Sequence, residues 1–273
     1  MGILNLTPDS FSGDGLGLNL TAALAQATSF AQAGVDLLDI GGESTRPNAA
    51  PVDEAEEKRR VLPLIKALAS VTQLPLSIDT FKPGTAKAAL AAGAHLINDI
   101  TGLADPAMQR LAAERGVPVI IMHSRGTPQT MAHLTDYGGN VLGELESFFE
   151  QRLAQLEAAG IAGAKIILDP GIGFAKTAAQ NLEILRSLPR LRKLGYPLLV
   201  GVSRKAFIGR LVAGPGQASV PPSERVYGTA AAIALAIAGG ADIVRLHDVL
   251  PLAGAVRVAD AISRSASAEF DWL

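Results

Sequence analysis

Polar residues of particular types stand at or near the ends of short apolar runs of this chain: Asn5, Asp39 with Glu43, Asp79, Asn98 with Asp99, His123, Asp169, Ser203 with Lys205, and Arg245 with His247. Asp169 opens the turn Asp-Pro-Gly-Ile-Gly-Phe that ends at Phe174. A carboxylate there could grip a flat ligand presenting two adjacent N–H donors, because paired charge-assisted hydrogen bonds fix orientation as well as affinity. Pterins and guanines offer that edge. Asn98 could complement it, since an amide both donates and accepts, or could simply cap a loop. Asp79 supplies a second acid with two chemical uses, proton transfer or stabilisation of a cation that develops during reaction. A third use, capping the helix that Pro83 introduces, is purely structural.

Ser203-Arg204-Lys205 and Arg245-Leu246-His247-Asp248 add basic groups. A basic residue leading into a helix N-terminus makes a local anion site, with phosphate or diphosphate as its natural guest. Surface pairing with Asp242 or Asp248 is the plain alternative. Asn5, ahead of Thr7-Pro8-Asp9-Ser10-Phe11, and the stretch Gly41-Gly42-Glu43-Ser44-Thr45-Arg46-Pro47 lead two loops whose composition suits lids that order around a ligand. Mg²⁺ keeps several waters and takes further ligands from a diphosphate, so Asn5 could be its only protein ligand. His123 has no partner at metal-ligand spacing and reads as a structural histidine. No Gly-x-Ser-x-Gly elbow is present, which sets aside a hydrolase triad.

Eight apolar runs must position these groups: residues 2–6, 37–40, 76–78, 96–97, 119–122, 166–168, 198–202 and 243–246. Runs this short and apolar suit parallel strands buried on both faces. Between them lie helix patterns at 20–33, capped by Asn19 and stopped at Gly34; from Asp53 to 69; from Pro83 to Gly93; and at 105–114, 141–159, 177–194, 223–238 and 252–263. Eight β–α units without a dividing linker predict one domain over residues 1–273, a (β/α)8 TIM barrel of the α/β class. Active sites of such barrels lie at the strand C-terminal ends, where the polar residues stand. The Gly/Pro-rich segment 214–222 reads as an insertion before the seventh unit's helix.

Composition narrows the field. The 273 residues include no Cys, which excludes disulfides, thiol nucleophiles and Cys-ligated metals. Twenty-four Lys and Arg against 26 Asp and Glu give a net charge of −2, without the basic footprint of a nucleic-acid binder. No charged n-region precedes the apolar start, and the small-apolar run 230–241 is too short for a membrane span. A cytoplasmic address is the expectation.

The motifs MGILNLTPDSF (1–11), DIGGESTRP (39–47), SIDT (77–80), INDI (97–100), IIMHSRGTPQTM (120–131), DPGIGFAKT (169–177), SRKAFIG (203–209) and RLHDV (245–249) closely resemble the dihydropteroate synthase family, in order and over essentially the whole chain. The resemblance implies a (β/α)8 barrel, a homodimer, and condensation of 4-aminobenzoate with 6-hydroxymethyl-7,8-dihydropterin diphosphate. It assigns Asp79, Asn98, Met122, Asp169 and Lys205 to the pterin. Thr45, Arg245 and His247 fall to the diphosphate, and Asn5 to Mg²⁺ and the diphosphate with it. Phe11, Pro47, Phe174, Ser203 and Lys205 fall to 4-aminobenzoate. Asp79, Lys205, Arg245 and His247 are its catalytic set. The order Gly13-Asp14-Gly15, Ala206 after Ser-Arg-Lys, and Gln180 before Asn181 depart from the family pattern, as does a start almost at the first motif, which should cost the first strand its leading turn. A methyltransferase acting on methyltetrahydrofolate shares the pterin-binding barrel but needs no convergence of Lys205, Arg245 and His247 on diphosphate. An inactive pterin-binding paralogue would bind without condensing.

Overall fold

β-Branched and leucine side chains dominate the strands, as suits a sheet buried on both faces. In the computed structural model, which describes residues 1–7, 19–46 and 49–264, they form Gly2–Asn5 (β1), Leu38–Gly41 (β2), Leu76–Asp79 (β3), Leu96–Asp99 (β4), Val119–Met122 (β5), Ile166–Asp169 (β6), Leu199–Val200 (β7) and Ile243–Val244 (β8). The helices are Leu20–Gln32 (α1), Glu54–Val71 (α2), Pro83–Ala92 (α3), Pro106–Arg115 (α4), Val141–Ala158 (α5), Ala178–Arg186 (α6), Leu188–Arg192 (α7), Ala206–Ala213 (α8), Val226–Ala238 (α9) and Val249–Arg264 (α10). Asn19 caps α1 by accepting from the Ala22 N–H at 3.0 Å, and Asp53 caps α2 by accepting from Glu56 at 2.7 Å. Each cap satisfies a helix donor that would otherwise lack an intrahelical partner.

The first six strands pair in sequence order, all parallel, and β7 pairs with β8. Two single bridges join these sheets into a ring. Leu168 bridges Leu198, with the Leu168 N–H donating to Pro197 O at 2.9 Å. On the other side Gly2 bridges Leu246, and the Ile3 N–H donates to Leu246 O at 2.9 Å. Outside, α10 packs against both α9 and α1, so the helix layer closes as well. This is the (β/α)8 barrel expected from the alternation.

Three expectations change in detail. The pattern at 177–194 is two helices, because Pro189 has no N–H to continue the ladder and sits in the first turn of α7. The seventh and eighth strands have two residues each, and the expected start at 252 moves back to Val249. β1 keeps four paired residues despite beginning at Gly2.

Apolar side chains divide into two clusters. The larger lies between sheet and helices and includes Leu4, Ile40, Ile78, Phe149 and Leu168. A smaller one, Met1, Leu96, Ile120 and Leu199 with Leu37, Ile167 and Ile243 against it, fills the inside of the barrel as a plug. That plug sets the floor of the cleft above it.

Candidate active site

A strand's side chains alternate faces, so the residue two positions beyond each plug residue also points inward, one step nearer the strand C-terminal ends. Beyond Leu37 stands Asp39; beyond Leu96, Asn98; beyond Ile120, Met122; beyond Ile167, Asp169; and beyond Ile243, Arg245. The barrel thus carries an apolar floor and a polar ring above it. Asn5, Gly41 and Asp79 are in register across β1, β2 and β3 and form the rim.

The polar ring is tied together by Arg245. Its Nε donates to Asp39 Oδ2 at 2.6 Å and its Nη2 to Asp79 Oδ2 at 2.7 Å. Burial opposes the guanidinium charge, but Asp39 and Asp79 outweigh it and hold the group above its ordinary range. Asn98 donates its amide to Asp39 at 3.3 Å, which leaves its side-chain oxygen as an acceptor. Asp39 is fully buried, so it orients Arg245 and Asn98 from beneath. Burial pushes the Asp79 carboxyl up to about 7, with Arg245 pulling the other way. Arg245 does not take the surface pairing alternative: its partners are Asp39 and Asp79, while Asp242 takes Arg192 at 3.1 Å and Asp248 takes Arg204 at 2.6 Å.

Asp169, at the end of β6, accepts from the Gly171 N–H at 2.7 Å. Burial raises its pKa, while that hydrogen bond and then Lys205 and Arg245 lower it. Asp169 and Arg245 therefore open into the same cleft, within electrostatic reach of each other. Met122 is paired in register with Asp169 and is buried beside it. Lys205 precedes α8, and its Nζ lies 4.2 Å from the centroid of the Phe174 ring. Burial pushes this ammonium down to about 8, and Asp169 supports the charge. Phe174 also borders a cavity of about 200 Å³ with Ile100, Thr101, Ser124, Thr127 and Met131.

Between Ser203 and Lys205 the chain reverses through Arg204 at φ 58°, a left-handed conformation costing an ordinary residue about 1–2 kcal/mol. Its side chain goes to Asp248 and its carbonyl accepts from Arg225 at 2.7 Å, contacts that hold the turn. Ser203 Oγ accepts from the His247 backbone N–H at 3.1 Å and meets His247 Nδ1 at 3.1 Å. Either atom of the Oγ–Nδ1 pair can donate, according to the imidazole tautomer, and the two contacts together fix the ring's orientation. Ser203, expected at the amine, also orients His247.

Asn5 and Asp79 flank Gly41: a methyl group placed there would lie 3.6 Å from both Asn5 Oδ1 and Asp79 Oδ2. Thr45 is half-buried in the loop after β2. Its neighbour Arg46, which the motif reading left unassigned, acts electrostatically on Lys205. Phe11 and Pro47 lie outside the described residues. Glu43 and Lys82 pair to pin the start of this loop, and Glu57 accepts from Lys82 at 3.2 Å. His123 is structural as expected: buried, with burial pushing its pKa down to about 3. Asp39 is the main omission from the motif reading of the site, although its position two residues beyond Leu37 marks it.

A family model described as pterin binding enzyme matches residues 1–247 of the chain. A dihydropteroate synthase of Synechocystis sp. is 50% identical over 265 residues, covering 97% of this chain and 90% of that relative. The structure of Yersinia pestis dihydropteroate synthase with a sulfonamide drug is similar at a TM-score of 0.91 and 44% identity, covering 97% of this chain and 94% of that one. Dihydropteroate synthase from Xanthomonas albilineans in complex with 7,8-dihydropteroate has a TM-score of 0.84 at 41% identity, with 97% and 94% covered.

Proposed function

From the premise that the chain belongs to the pterin-binding enzyme family, among its dihydropteroate synthases, we propose how the walls of its cleft divide the work. The reaction is a transfer: 6-hydroxymethyl-7,8-dihydropterin diphosphate and 4-aminobenzoate become 7,8-dihydropteroate and diphosphate, a step of folate biosynthesis.

Asp169 takes the adjacent N–H donors of the pterin through paired charge-assisted bonds, and the Asn98 side-chain oxygen, Met122 and Lys205 complete the slot. Arg245, His247 and Thr45 take the diphosphate. The C–O bond to diphosphate breaks first, since these groups spread the leaving charge and the electron-rich dihydropterin delocalises the cation left on its exocyclic methylene. The Asp79 carboxylate stabilises that cation electrostatically. The aromatic amine then forms the C–N bond beside Phe174, Lys205 and Ser203, with Phe11 and Pro47 assigned to it by motif alone, and its surplus proton passes to solvent. The observation that carries this reading is Arg245 Nη2 at 2.7 Å from Asp79 Oδ2, with Asp169 acting on the same guanidinium.

Among the described residues no three His, Asp or Glu side chains gather to hold a metal, so Mg²⁺ fits as an ion shared with the substrate. Asn5 Oδ1 would be its protein ligand, with diphosphate oxygens and water as the others. When bound it neutralises charge on the leaving group. We also propose a homodimer. Large apolar side chains are exposed on α8 (Leu211), α9 (Tyr227 at 89%, Leu235) and α10 (Leu250, Val258, Ile262 at 79%), and α9 packs against both neighbours. Such a surface suits a second copy of the chain, and light scattering in solution tests it. No described helix is long and apolar enough to cross a membrane; the cytoplasm is the proposed compartment, checked by cell fractionation.

Incubating the protein with both substrates and Mg²⁺ tests the function. Dihydropteroate should form, diphosphate should appear with it, and a sulfonamide should compete against 4-aminobenzoate. Pterin binding without condensation would instead leave a binding protein.

A further inference from the structure

One buried ammonium has no part in the scheme above. Lys176 Nζ sits where four acceptors converge: Gly171 O at 3.0 Å, Phe174 O at 3.0 Å, His123 O at 3.3 Å and His123 Nδ1 at 3.0 Å. Only an ammonium has a hydrogen for each of three carbonyls, so the cluster is built for the charged form, with one hydrogen shared with the imidazole. His123 is matched to this task, because an imidazole neutral over the physiological range offers Nδ1 as an acceptor.

The turn that supplies these carbonyls is the one that carries Asp169. It passes through left-handed backbone at Gly171 (φ 67°), Gly173 (φ 82°) and Ala175 (φ 49°), which lets carbonyls that a regular strand would send sideways converge inward. A side chain at Gly171 would meet His123 O at 2.0 Å, so the turn is pressed directly onto the end of β5. Tyr137 donates to Ala175 O at 3.0 Å, and Asn181 accepts from the Gly173 N–H at 2.7 Å. Strained backbone of this kind persists only where its surroundings over-determine it. The turn lies between two lysines: Lys205 on the cleft side, over the Phe174 ring, and Lys176 on the buried side, bonded to the Phe174 carbonyl.

We propose that Lys176 is a positioning residue for the pterin site: its ammonium clasps the 169–175 turn to His123 and so fixes both the direction of the Asp169 carboxylate and the height of the Phe174 ring. It touches no substrate. The assignment rests on the pterin role given to Asp169. The groups that act on Asp169 are Lys205, Arg245 and Lys176, beside the Gly171 N–H, and those on Lys176 are Asp169, Lys205 and Arg125, with His123 in contact. Burial pushes the Lys176 ammonium down to about 7 against the support of Asp169, so below that pH Lys176 also helps keep Asp169 ionised.

The test compares the parent enzyme with Lys176→Met, which keeps the stem and removes every donor, and with Lys176→Gln, which keeps two donors and serves as the milder variant where the methionine one fails to fold. Binding of 6-hydroxymethylpterin and of inorganic diphosphate is titrated separately across pH, at a temperature where each variant is folded. Pterin affinity should fall about tenfold or more, as expected when hydrogen bonds to a charged group are lost. Diphosphate affinity should stay within about twofold, and the acid limb of pterin binding should move to higher pH, because Asp169 loses a cation. A purely structural lysine would lower the melting temperature alone. A folded variant with pterin affinity within about twofold of the parent and an unmoved acid limb overturns the proposal. A parent enzyme that binds no pterin overturns the functional reading, and this one with it.

Discussion

The pterin-facing wall and the anion-facing wall of this cleft are built differently. Asp79, Met122 and Asp169 end four-residue strands of one continuous six-stranded sheet and Asn98 is next to last in another, each fixed in register by its neighbours. Ser203, Arg245 and His247, and Lys205 that reaches across to the pterin slot, follow two-residue strands, which join that sheet through one bridge on each side. The first wall is set by the barrel itself. The second is set by side-chain contacts among turns: Arg204 to Asp248, Ser203 to His247, Arg245 to Asp39 and Asp79. A flat ring needs a rigid slot, whereas a departing anion needs donors whose positions can be tuned. Arg245 belongs to the second wall but is anchored in the first.

That double membership makes Arg245→Met the variant of largest expected effect. It strands two buried carboxylates, so stability measured by chemical denaturation should fall by about 3–5 kcal/mol, and diphosphate affinity should fall with it. Unchanged diphosphate affinity in the folded fraction would remove Arg245 from the anion wall. Asp79→Asn comes next. Turnover should drop about 10²- to 10³-fold while pterin affinity changes little, because the charge acts on the transition state. Equal losses in both would make Asp79 an anchor of the ground state. Asp169→Asn should do the reverse, raising the KM for the pterin substrate about ten- to a hundredfold with a smaller change in diphosphate affinity.

Lys205 sharpens the contrast through pH. Burial places its pKa at about 8, so it is charged below that value and neutral above it. The affinity it supplies is therefore present at lower pH and lost as pH rises through about 8. A pH profile of pterin KM should show this alkaline limb, and Lys205→Met should abolish it. The smallest effect belongs to Phe174→Leu, which removes a lysine–ring contact of about 0.5–1 kcal/mol. The KM for 4-aminobenzoate should rise about two- to fivefold, with pterin binding untouched.

The two walls were also unequally legible in the amino-acid order. Each short apolar run announced its strand, and the residues after it marked the cleft, because alternation carries an inward apolar side chain to an inward polar one two residues on. Leu96 to Asn98 and Ile167 to Asp169 follow this rule. Leu37 to Asp39 does too, yet motif matching passed over Asp39 as a site residue, because its partners come from strands four and eight and no local pattern shows them. Lys176 was hidden for a different reason: its partners are mostly main-chain carbonyls, which no residue type reports. The turn at Arg204 and the brevity of β7 and β8 are consequences of tertiary contacts, with Asp248, Arg225 and Asp39 supplying what strand pairing does not.

The claim beneath all of this is that one substrate spans both walls, and displacement tests it most directly. With labelled pterin diphosphate bound, unlabelled 6-hydroxymethylpterin alone and inorganic diphosphate alone are each titrated in. Both should displace the label, and the two small ligands should not displace one another. Displacement by the pterin with none by diphosphate at saturating concentration would contradict the account, because the basic groups would then serve some other purpose than holding the substrate's tail.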